Sequence, residues 1–165
     1  MRLHTRYWIA AALLLAAAGA ASAGVTVKYQ DPDKFFDVPE FEKDRNQLLK
    51  ELTAHFDKLG KELPAGQQLT ITVTDLDLAG RIEPRRRTMH DIRILRGGAD
   101  WPTMQLRYTL EQDGKVIASG DEKLSNMMYL DRLNRYPSED TLRYEKQMVD
   151  EWFHKTFAAP QLSKQ

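Results

Sequence analysis

The chain has 165 residues, 42% of them hydrophobic, with 24 basic and 24 acidic side chains and no cysteine. Without thiols, disulfides, thiol catalysis and thiolate metal sites are all excluded. A balanced charge with no overall basic footprint argues against nucleic acid as a partner.

The first segment reads as a leader. Arg2 and Arg6 precede an apolar run from Trp8, which leads to the small-residue triplet Ala21-Ser22-Ala23. A positive start, a short apolar middle and such an exit form the pattern of a cleavable secretory signal peptide. The uninterrupted run is roughly a dozen residues, against about 20 needed to span a bilayer. Cleavage is expected after Ala23, which makes residues 1–23 the signal peptide and 24–165 a single globular domain. It removes two arginines and no acid, leaving 22 basic against 24 acidic residues. No cysteine follows the cut, so the lipoprotein route is closed. The expected location is the periplasm, with no membrane span after cleavage.

Val25–Tyr29 alternates and predicts a short strand. A loop runs from Asp31 through Pro39. Leu48, Leu52, Phe56, Leu59 and Leu63 then recur at helical spacing, Phe41 and Leu49 widen the stripe, and Pro64 ends the helix. Leu69, Ile71 and Val73 form one face of the clearest strand. Ile92–Arg96 predicts a shorter one. Met104, Leu106, Tyr108 and Leu110 alternate with polar residues up to Asp113-Gly114, the favoured type I′ hairpin pair. Lys115–Ser119 returns, and a two-residue loop puts Leu110 opposite Ile117 and Tyr108 opposite Ser119. Residues 121–137 fit either a helix or a continued strand, with Met127 and Met128 read as core. Ser138 is placed to cap the last helix. The apolar face of that helix is Leu142, Val149, Trp152, Phe153 and Phe157.

The order β-α-β-β-β-β-α predicts an α+β fold: a single mixed sheet of about five strands, with helices packed on one face. A strand–helix–strand start favours a right-handed parallel crossover.

Asp75 and Asp77 are the sequence's clearest anomaly. Alternation carried past Val73 puts both on the apolar face, where a lone charged carboxylate is too costly to keep. Either the strand bulges near Thr74 and flips its register, or it has ended and both lie in a loop. The third resolution buries them against Arg81, Arg85, Arg86, Arg87 or Arg93. Side chains two apart on a strand lie roughly 6–7 Å from each other. That spacing suits a hard cation or an acid–base pair, and structural pairing is the plainer reading. Arg85-Arg86-Arg87 is either a solvated loop neutralising nearby acids or a holder of phosphate or an anionic polymer. Trp101, held extended by Pro102, is either a lid over the core or a platform for a sugar or a partner. His55, His90 and His154 have no chelating spacing, and His55 reads as a core-edge histidine. No nucleophile elbow, phosphate-binding loop, zinc-protease or dinucleotide motif is present. No cofactor and no metal is expected.

Three segments together resemble a known family: Val73-Thr-Asp-Leu-Asp-Leu-Ala-Gly-Arg81; Ile92–Arg96 followed by Asp100–Tyr108; and Leu142–Phe153. They are similar to the bacterial family catalogued as domain of unknown function 3016, over nearly all of residues 24–165. The resemblance implies an exported protein of Gram-negative bacteria. It implies no activity, substrate or functional residue. The expected function is a periplasmic, non-enzymatic binding or cell-envelope accessory domain, with an envelope protein or polymer as partner. The alternative is a small metal-dependent hydrolase centred on Asp75 and Asp77, with Arg81 stabilising an anion.

Overall fold

The structure is a computed structural model that describes residues 23–83 and 92–158. Residues 1–22, on which the expected signal peptide falls, and Arg85, Arg86, Arg87 and His90 lie outside the described residues.

Strand β1 (Gly24–Tyr29), helix α1 (Glu42–Gly60) and strand β2 (Gln67–Asp77) form the opening unit. β1 and β2 are parallel neighbours, with Val25 opposite Leu69 and Tyr29 opposite Val73. Next come a short pair, β3 (Arg81–Glu83) and β4 (Ile92–Ile94), and the long hairpin β5 (Thr103–Gln112) and β6 (Lys115–Ser125). Helix α2 (Arg143–Phe153) closes the fold. The main sheet has four strands in the order β1-β2-β5-β6, mixed in direction, and β3 and β4 pair apart from it. The fold class is α+β, as expected. The Ile92 strand pairs with Arg81–Glu83 instead of joining the main sheet.

One face of the sheet presents Leu69, Ile71, Val73, Met104, Leu106, Tyr108 and Leu110 to the helices, and all are buried. Leu52, Phe56 and Leu59 of α1 meet them, as do Val149, Trp152 and Phe153 of α2. A π-helical turn, His154–Ala158, follows α2. Its Phe157 packs edge-on against Tyr108 at 5.4 Å and Trp152 at 5.5 Å between ring centroids. Both helices therefore cover the same face, which the sequence periodicity anticipates.

Four local expectations are corrected. The hairpin turns at Asp113-Gly114, but Leu110 faces Ala118 and Tyr108 faces Gly120, because a bulge at Ile117 adds a residue to β6. Met127 and Met128 are exposed, and Tyr129 beside them takes the buried place. Ser138 does not cap α2, whose N-cap is Leu142 without a side-chain hydrogen bond. Asp140 serves that end instead, accepting from the Leu142 amide at 2.9 Å and from Lys146. Phe41 lies at the start of α1 and is 71% exposed, so it does not extend the buried stripe.

Candidate functional site

β2 settles its acidic pair by bulging. Val73 pairs with Leu106 and Asp75 with Gln105, so Thr74 is the extra residue. Past it the alternation inverts: Leu76 and Leu78 turn into the core, while Asp75 and Asp77 stay partly exposed. Burying two leucines gains about 1.5–3 kcal/mol each. Burying two unpaired carboxylates would cost more than that. The bulge obtains the first and avoids the second.

Of the arginines proposed as partners for that pair, the two described, Arg81 and Arg93, are engaged elsewhere. Arg81 pairs with Glu83. Arg93 donates to the Glu145 carboxylate and to the carbonyls of Ala79 and Thr141. Glu145 is fully buried on α2, and its Oε1 also accepts the Ala79 amide at 2.8 Å. This knot fastens the chain leaving β2 to α2 and to β4. Asp75 instead accepts a hydrogen bond from the Gln105 side-chain Nε2 at 3.2 Å.

Asp77 sits where the preceding loop touches the end of β2. Phe36 bridges to it in parallel, and the Phe36 amide donates to Leu76 O at 3.1 Å. Burial pushes the Asp77 carboxyl up to about 6, and the charges of Asp37, Asp75 and Glu145 push the same way. Asp77 opens onto a cleft of about 370 Å³, also lined by Asp37, Gly80, Arg81, Arg96 and Asp100. Gly80, at φ 76°, is required there: a Cβ would lie 2.3 Å from Ile94 O. Asp100 frames the far wall. Its two carboxylate oxygens accept from the Arg96 amide and the Tyr129 hydroxyl, both at 2.8 Å, and its carbonyl accepts from the Gly80 amide at 2.8 Å. Burial, followed by the hydrogen bond to Asp100, pushes the Tyr129 hydroxyl up to about 12, so Tyr129 remains a donor.

Of the expected cluster, the cleft thus gathers Asp77 and Arg81. Asp75 is a neighbour on the same strand, and Trp101 is partly buried two residues before β5 and does not line the cleft. Asp37, Arg96, Asp100 and Tyr129 were not singled out from sequence. The nearest signal was Arg96-Gly-Gly-Ala-Asp100, in which two glycines let a carboxylate fold back onto a backbone amide.

A second polar cluster joins the helices. The His55 ring reaches Asp150 Oδ1 at 2.8 Å, and the Tyr136 hydroxyl donates to Asp150 Oδ2 at 2.6 Å. Burial raises the Asp150 carboxyl, but the hydrogen bonds from His55 and Tyr136 outweigh it and hold the group below its ordinary range. Both His55 and Asp150 are buried. Among the described residues, no three or more His, Cys, Asp or Glu are grouped to hold a metal ion. No described helix is long and apolar enough to cross a membrane.

A family model described as "Protein of unknown function (DUF3016)" matches residues 23–155. No curated protein matches the chain. A crystal structure of a Xanthomonas campestris protein, assigned to the family model DUF330, aligns over 88% of this chain and 90% of its own. Its sequence is 15% identical and its TM-score is 0.37. That similarity transfers no function.

Proposed function

The chain belongs to the DUF3016 family of proteins of unknown function, and from that premise we propose that it is an exported, non-enzymatic binding or cell-envelope accessory domain. Its ligand contact is the cleft at the end of β2. The observation that carries this reading is that the 370 Å³ opening is lined by both signs of charge, Asp77 and Asp100 together with Arg81 and Arg96. Oriented charges of both signs select ligands more by complementarity than by buried area. The ligand class is an envelope polymer or protein segment that carries acidic and basic groups together. Export rests on the leader pattern of Arg2, Arg6 and Ala21-Ser22-Ala23. Periplasmic protein should begin at Gly24 and bind soluble envelope polymer. Arg81→Ser should weaken that binding about tenfold, the ordinary cost of truncating a charged contact. Undiminished binding by the variant would remove the cleft from the proposal.

One observation favours a hydrolase as the second reading. A carboxyl raised to about 6 at Asp77 would be a competent proton donor near neutral pH. That reading requires a substrate whose turnover is lost in Asp77→Asn while the fold is kept.

A further inference from the structure

We propose that the surface carrying Phe36 and Phe41 docks a segment of a partner protein whose apolar side chains are flanked by lysines or arginines. Two adjoining grooves of about 480 Å³ and 340 Å³ share Pro39, Phe41 and Ile82 as a common wall. Phe36 and Phe41 are 69% and 71% exposed there, whereas Phe35, Phe56 and Phe153 are buried. Exposed aromatic rings beside apolar grooves are the usual anchors of a protein interface. The backbone beneath them is held in place. Arg45 donates to the carbonyls of Pro39 and Glu40 at 3.3 and 3.0 Å, so Phe41 is presented from a fixed loop. Such preorganisation reduces the ordering cost of binding.

Charge decides the occupant. Glu40, Asp44 and Glu51 lie along the grooves, and no ion pair among the described residues reaches any of the three. Among the described lining residues the acids Asp33, Asp37, Glu40, Asp44 and Glu51 outnumber two cations, of which Arg93 pairs with Glu145 and Arg45 is tied to the Pro39 and Glu40 carbonyls. An acidic rim around apolar grooves complements a basic, apolar segment. It repels anionic lipid and nucleic acid, and it sets like charges together if a second copy docks through the same face. Neither Asp77 nor Arg81 lines these grooves; the surface meets the cleft at Asp37 and Leu78.

The test is fluorescence polarisation with the purified protein and a fluorescein-labelled peptide of alternating Leu and Lys, beside its Leu–Glu counterpart. The Leu–Lys peptide should bind and the Leu–Glu peptide should not. Phe41→Ser should weaken binding at least about tenfold, with Phe36→Ser as a second variant should the first fail to fold. Asp44→Lys combined with Glu51→Lys should transfer binding to the Leu–Glu peptide. Equal binding of both peptides, or unchanged affinity in the serine variants, overturns the proposal. So does self-association that Phe41→Ser abolishes, because the face would then belong to a second copy. Arg81→Ser should leave the peptide affinity unchanged, so failure here does not touch the cleft reading.

Discussion

A carboxyl group that keeps its proton up to about pH 6 in the folded state affects stability in one direction. In the unfolded chain Asp77 ionises near 3.8, so between 3.8 and about 6 the folded state binds more proton. Stability therefore falls as pH rises through that window and stays lowered above it. Asp77→Asn removes this effect. The variant should be the more stable protein at pH 7.5, by on the order of 1 kcal/mol once partial exposure and solvent screening are allowed for. Below pH 4 the difference should vanish. Urea midpoints at the two pH values check this, and a variant less stable at pH 7.5 would contradict it. At this scale the sequence was informative about anomaly more than about partnership. Asp75 and Asp77 stood out because they broke an alternation. Asp37, Arg96 and Asp100 broke none, and only the tertiary fold brings them beside Asp77.

Among elements, the long periodic ones were legible and the deviations from regularity were not. The α1 stripe and the strand faces follow from period alone. The bulges at Thr74 and Ile117 do not, since either side of a bulge looks like ordinary alternation. At Thr74 two carboxylates made a bulge one of three possible resolutions. At Ile117 nothing pointed to one, because Val116, Ile117 and Ala118 are all apolar and fit either register. The seam between α1 and β1 supports a further prediction. Gly60 ends α1, and a Cβ there would lie 2.3 Å from Val25 Cγ2 and 3.4 Å from the Val25 amide nitrogen. Replacing a helical glycine by alanine gains about 1 kcal/mol of propensity. Overpacking a stiff β-branched neighbour costs about 1–3 kcal/mol. Gly60→Ala should therefore destabilise, against the usual helix rule, by about 1 kcal/mol. Denaturant titration reads the sign directly.

For the whole molecule, the fold is assembled from a sheet and two helices that cover one side of it, with no disulfide to hold them. Two polar knots add to the core. One is Arg93–Glu145, tying β4 and the end of β2 to α2; the other is His55–Asp150–Tyr136, tying α1 to α2. Hydrogen bonds to charged groups are worth about 1.5–3 kcal/mol, so Tyr136→Phe should cost about 2 kcal/mol at neutral pH. The Asp150 carboxyl is depressed when folded, so its contribution is present above its unfolded value of 3.8. It is lost as pH falls through the folded value. The penalty of Tyr136→Phe should accordingly shrink in strong acid, and a penalty independent of pH would place the effect in packing alone. His55 was legible as a core-edge histidine, but its partner on a helix far along the chain was not.

The sheet is long and its two ends differ. The β2–β5 ladder runs from Gln67 opposite Gln112 to Asp77 opposite Thr103. At strand rise, that sets the Asp113-Gly114 turn about 30 Å from Asp77. The chain has no cysteine, so Lys115→Cys, on the exposed tip of β6, would create its sole thiol. A fluorophore or a surface tether attached there would sit at the opposite pole from the cleft. The molecule can therefore be labelled or immobilised in one defined orientation, with its charged end left open to solution.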